Sequence, residues 1–113
     1  MLKGRILATL AAATLVAGPL ALAPAVPAQA ASVVKATGNL TFKPKTLNVN
    51  KGAKVVWKNT CGCTHTVTAT SNNWNKNTTL QSGDTTSFTF KRKGTYKYHC
   101  TIHAGMTGKV VVG

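Results

Sequence analysis

The chain is 113 residues long and carries 14 Lys and Arg against a single acid, Asp84, for a formal net charge of +13. So basic a surface seeks anions. Its positive positions beyond residue 30 are scattered from Lys35 to Lys109 without interleaved exposed aromatics, which argues against nucleic acid and leaves two readings: steering toward an acidic protein face or toward anionic envelope polymers and lipid headgroups, or a charge that only keeps a small domain soluble.

Lys3 and Arg5 precede an apolar run over residues 6–22 that Gly18 and Pro19 interrupt, and Ala28-Gln29-Ala30 follows with the small-x-small pattern of a cleavage site. Residues 1–30 therefore read as an export signal and not as a membrane anchor. Export would leave residues 31–113, with 12 basic side chains and one acidic, as one small monomeric domain in the periplasm or outside the cell. A domain of that size sits near the lower limit for a self-sufficient core, where a bound metal adds to stability.

Beyond residue 30 no helical period occurs, and short strands follow one another closely. They are expected at 33–36, 39–42, 46–50, 54–59, 65–70, 85–91, 94–100 and 108–112, with turns at Asn50-Lys51-Gly52, Ser82-Gly83-Asp84 and Arg92-Lys93-Gly94. The polar stretch 71–81 reads as loop, with Trp74 covering an edge of the core. Period-two alternation puts Val55, Trp57 and Asn59 on one face, and likewise His65, Val67 and Ala69, Phe88 and Phe90, and Tyr96, Tyr98 and Cys100. With Leu40, Phe42, Leu47 and Val49, these faces predict an all-β, two-layer antiparallel β-sandwich of Greek-key type.

The chemistry is concentrated in Cys100-Thr101-Ile102-His103-Ala104-Gly105-Met106, where a thiolate, an imidazole and a thioether recur at three-residue intervals. Two His and one Cys as strong ligands with a weak Met suit an ion that alternates between Cu(I) and Cu(II). The second His is sought among His65 and His99. His99 alternates with Cys100 and so faces away from it, while His65 lies on an earlier strand that can come alongside. The expected metal ligands are His65, Cys100, His103 and Met106.

The chain resembles the cupredoxin family, and within it plastocyanin and amicyanin. The residues that carry the resemblance are Phe42-Lys43-Pro44, Gly52, Val55-Val56-Trp57-Lys58-Asn59, His65-Thr66-Val67, Gly83-Asp84, Ser87-Phe88-Thr89-Phe90, Gly94 through Cys100, His103, Met106, and Gly108 through Val112. The two-residue gaps on either side of His103 match the short amicyanin loop. The resemblance implies one type 1 blue copper ion that carries single electrons between redox partners, with Cys100 giving the blue charge-transfer band, His65 and His103 completing a trigonal plane, and Met106 as a weak axial ligand. It further implies that His103 is an electron port within an apolar patch including Ile102 and Ala104, and that Asn59 and Thr66 bond the ligand loop to its neighbouring strand.

Cys61-Gly62-Cys63, just before His65, departs from the family pattern. The pair forms a disulfide across Gly62, or two free thiolates that hold Cu(I) as an entry or second site beside His65, or an intermolecular bond; sequence does not choose among them. Two rival readings use the same donors: a structural zinc site of Cys61, Cys63, Cys100 and His103, and a copper carrier or storage protein serving an exported oxidase. A copper enzyme would need further His ligands, and only His99 is spare, so catalysis is not expected.

Overall fold

The computed structural model describes residues 31–113, and the export signal expected over 1–30 lies outside them. Every regular element among the described residues is a strand: β1 Ser32–Ala36, β2 Phe42–Lys43, β3 Thr46–Val49, β4 Lys54–Asn59, β5 His65–Ala69, β6 Asn77–Leu80, β7 Thr85–Thr89, β8 Gly94–His99 and β9 Thr107–Val112. They build two sheets, ordered β3-β9-β8-β5-β6 and β2-β1-β4-β7.

The all-β sandwich is as the alternation predicts, with two of its pairings parallel where antiparallel ones were expected. Lys109 of β9 lies opposite Thr46 of β3, and Val34 of β1 opposite Trp57 of β4, each in a parallel ladder. Both pairs join strands distant in sequence, so the intervening chain supplies the crossover that parallel neighbours require.

The strand expected over 39–42 is a turn instead. Thr37 N–H donates to the Thr41 carbonyl at 2.9 Å, Leu40 sits at φ 61° with its side chain exposed, and only Phe42–Lys43 pairs with β1. The loop expected over 71–81 is irregular only in its first half. Asn77–Leu80 adds β6 to the edge of the larger sheet, with Thr66 opposite Thr79. An edge strand need bury little, and Leu80 is the one fully buried side chain in it.

Between the sheets lies an aromatic core. Trp57 is fully buried, stacks on Trp74 with centroids 6.1 Å apart, and meets Tyr98 edge-on at 5.4 Å. Phe90 packs against Tyr96 at 4.7 Å. Trp74 covers the core as expected and donates its indole N–H to the Lys97 carbonyl at 3.0 Å. Each fully buried side chain of this size contributes roughly 2–3 kcal/mol. Gly108 of β9 lies opposite Tyr98, and a Cβ there would come within 2.5 Å of the ring, so only glycine lets β9 close over it.

The pairing of β5 with β8 sets the geometry of the functional end. Thr68 lies opposite His99 and Ala69 opposite Tyr98, antiparallel. The start of β5, at His65, is thereby brought beside the loop that leaves β8 at Cys100.

Candidate metal centre

The loop from Cys100 to Met106 is closed by its own backbone. Cys100 N–H donates to the Met106 carbonyl at 2.9 Å and Met106 N–H to the His103 carbonyl at 3.2 Å. The reversal this requires passes through Gly105 at φ 79°, a conformation that glycine adopts without a Cβ clash. Cys100 is free, and like Met106 it is 2% exposed. His103 is half-buried at the mouth, flanked by exposed Ile102 and Ala104.

His65 is fully buried, with Nδ1 3.8 Å from Cys100 Sγ, while Nδ1 of His103 lies 3.6 Å from the same sulfur. The two rings are 4.9 Å apart. An ion bound in a plane at about 2.3 Å from sulfur and about 2.0 Å from nitrogen spaces those atoms roughly 3.7 Å apart. Both sulfur–nitrogen separations therefore already match those that a trigonal ion imposes. A second observation agrees: His65 Nε2–H donates to the Thr37 carbonyl at 2.9 Å, which fixes the tautomer and leaves the Nδ1 lone pair facing Cys100.

Burial pushes the His65 imidazole below the ordinary histidine range, against the Thr37 hydrogen bond and with the help of His103 beside it. A neutral imidazole is the form that ligates.

Thr66 does what the sequence reading assigned to it. Its N–H donates to Cys100 Sγ at 3.3 Å, and its Oγ1 accepts from Thr101 N–H at 2.8 Å, joining β5 to the ligand loop. Asn59 does not bond that loop. It is fully buried, donates from Nδ2 to the carbonyls of Cys63 (2.7 Å) and Leu80 (2.9 Å), and accepts at Oδ1 from Cys61 N–H (2.8 Å), so it fixes the segment before His65 instead. The reason is topological: Asn59 ends β4 in the opposite sheet, directly before that segment.

Cys61 and Cys63 are joined to each other as a disulfide. Donor atoms among the described residues fall into two sets, Cys61-Cys63-His65 and His65-Cys100-His103, each within 4.8 Å internally. The four residues of the zinc reading thus do not converge, and His65 is shared, the place beside which the sequence put a second site. His99 belongs to neither set; it is half-buried, with Nδ1 unpartnered.

The family model for copper binding proteins of the plastocyanin/azurin family matches residues 29–113. Plastocyanin of Lactuca sativa is 36% identical over 89 residues, which cover 66% of this chain and 90% of that one, and the chloroplastic plastocyanin of Silene latifolia subsp. alba is 34% identical over 96% of this chain and 71% of its own. Among solved structures, the reduced Cu(I) form of an amicyanin variant at pH 4 superimposes with a TM-score of 0.69 at 33% identity, over 78% of this chain and 87% of that one. A purple cupredoxin from Nitrosopumilus maritimus, at 24% identity and a TM-score of 0.65 over 73% of this chain and 99% of that one, shares the fold. With the matched segment spanning the whole sandwich and its donor cluster, the chain belongs to the plastocyanin/azurin family of copper-binding proteins.

Proposed function

We propose that this protein is an exported, monomeric carrier of single electrons and not an enzyme, with His65, Cys100, His103 and Met106 holding one type 1 copper ion. The observation that carries the reading is the buried Cys100 sulfur with the Nδ1 atoms of His65 and His103 at 3.8 and 3.6 Å. Copper, when bound, supplies the Cu(II)/Cu(I) couple.

The chain's own part is to hold the donors still. Thr101 N–H on Thr66, Met106 N–H on the His103 carbonyl and His65 Nε2–H on Thr37 leave each donor little room to move as charge arrives or leaves. Thr66 N–H draws electron density from the Cys100 sulfur, which favours the reduced state. His103, half-buried between exposed Ile102 and Ala104, is the route for the electron, and the apolar surroundings let a partner exclude water there.

Lys43 and Lys45 border a groove with Leu40 and Gly105 beside this apolar end, and Lys97 stands opposite Lys109 in the β8–β9 ladder. Asp84 spends a carboxylate oxygen on Gln81 N–H and is the chain's one acid, so the positive field is largely uncompensated and steers toward an acidic docking face. The same field favours loose attraction to an anionic envelope.

One equivalent of Cu(II) is expected to give an intense blue absorption band that Cys100→Ala abolishes; a colourless wild-type protein defeats the reading. Association with an acidic redox partner is expected to slow as salt rises from low to physiological ionic strength, whereas a flat or rising rate removes the steering claim. Export is checked by the N-terminus of the protein recovered outside the cytoplasm, expected at Ala31.

A further inference from the structure

The Cys61–Cys63 pair has no part in the electron-carrier reading, yet it lies against one of that centre's donors. Cys63 Sγ is 3.5 Å from Nε2 of His65, on the side of the ring opposite Cys100, and Sγ of Cys61, Sγ of Cys63 and a nitrogen of His65 all fall within 4.8 Å of one another. The segment is built, not loose. Asn59 holds both ends of it, Cys63 N–H donates to Cys61 Sγ at 3.1 Å, and Gly62 between them is exposed. Cys61 and Cys63 are half-buried, whereas Cys100 and Met106 of the inner centre each show 2% of their surface and His103 is its donor at the mouth.

We infer that Cys61 and Cys63, once reduced, form a second copper site that takes up Cu(I) at the outer edge of His65. The inference rests on the reading that copper is the ion this chain handles. A dithiol reductant exchanges with the disulfide: the Cys61–Cys63 bond breaks, the reductant leaves as its own disulfide, and its two electrons and two protons appear as two thiols. Cu(I) then displaces both thiol protons and is held by two thiolates, the soft donors it prefers. When the inner centre is vacant, His65 supplies a third donor from Nε2, its proton moving to Nδ1 and its hydrogen bond to the Thr37 carbonyl being given up. One imidazole thereby serves both positions in turn, and the outer site becomes a loading point whose competence depends on the thiol state of the compartment.

The test uses the full, copper-free chain under anaerobic conditions, untreated or reduced with dithiothreitol that is then removed, and titrated with Cu(I) against a chromophoric Cu(I) chelator. Thiol titration fixes the starting states at one and three free thiols, given the three cysteines of the chain. The untreated chain is expected to take one equivalent and the reduced chain two, with the second absent from Cys61→Ser/Cys63→Ser in either state. One equivalent in both states of the wild type, or a second equivalent that persists in the double variant, overturns the inference. The comparison of untreated with reduced wild type does not depend on how well the variant folds. A missing blue band with Cu(II) counts against the inner centre alone, since the outer pair is read from the difference between the two thiol states.

Discussion

Two loops bring sulfur to His65, and they are held in opposite ways. The segment between β4 and β5 places Cys61 and Cys63 at the Nε2 edge, with its backbone gripped by the buried Asn59 side chain from the smaller sheet. The loop between β8 and β9 places Cys100 at the Nδ1 edge, tied by Thr66 within the larger sheet and by its own backbone. In the first, one side chain satisfies two of the segment's backbone groups and the sulfurs are covalently closed; in the second, the backbone closes itself and the sulfur stays open to an ion. Fixing a loop and presenting a donor are separate tasks, and a different residue does each.

Removing Asn59 tests the first loop hardest. Asn59→Ala deletes two donated hydrogen bonds and one accepted one at a fully buried position, so a loss of about 3 kcal/mol is expected in urea unfolding, with the blue band unmoved in wavelength. A displaced band would show that the two loops are not independent. Thr66→Val bears on the second loop. It leaves Thr101 N–H without its acceptor but keeps the residue-66 N–H on the Cys100 sulfur, and the expected loss is about 1 kcal/mol with roughly tenfold weaker copper binding in chelator competition. An unchanged affinity would move the positioning role elsewhere.

Tyr98 lies in the aromatic core, belongs to neither loop and serves as their control. Its hydroxyl has no hydrogen-bond partner, and burial pushes it up to about 12, with the Trp57 indole opposing. The folded state therefore keeps it neutral where the unfolded chain ionises near 10.0, so its contribution is intact below pH 10 and is lost as the pH rises through about 12. Tyr98→Phe is expected to change stability by less than about 1 kcal/mol at pH 7, to leave the copper spectrum alone, and to flatten part of the alkaline decline in thermal unfolding. An unaltered alkaline slope would assign that decline to the lysines.

The centre was legible where chemistry is local. Three soft donors within seven residues announce themselves by spacing, and period-two alternation separates His99 from Cys100 without any structure. The sandwich was legible for the same reason, since Val55-Trp57-Asn59 and Tyr96-Tyr98-Cys100 fix which face is inward. What escaped depends on partners distant in sequence. Strand β6 is polar because it is an edge, and its order comes from the ladder to β5, which no window of residues reports. Leu40 continues an apolar alternation but occupies a turn clasped by Thr37 and Thr41. Asn59 sits at an inward position, as alternation requires, yet what it holds is decided by where β4 ends. Cys61-Gly62-Cys63 put a second pair of sulfur donors beside His65 already in the sequence, but left open that the two are joined as a disulfide.

His65 and Cys100 lie at neighbouring strand ends of the larger sheet, and His103 and Met106 on the loop joining two of its strands, while the smaller sheet reaches the cluster through the Thr37 carbonyl. Asn59 adds a second tie from that sheet, through the segment directly before His65. The donors thus belong to one layer, and the other layer meets them on the His65 side, through one backbone carbonyl and one amide side chain.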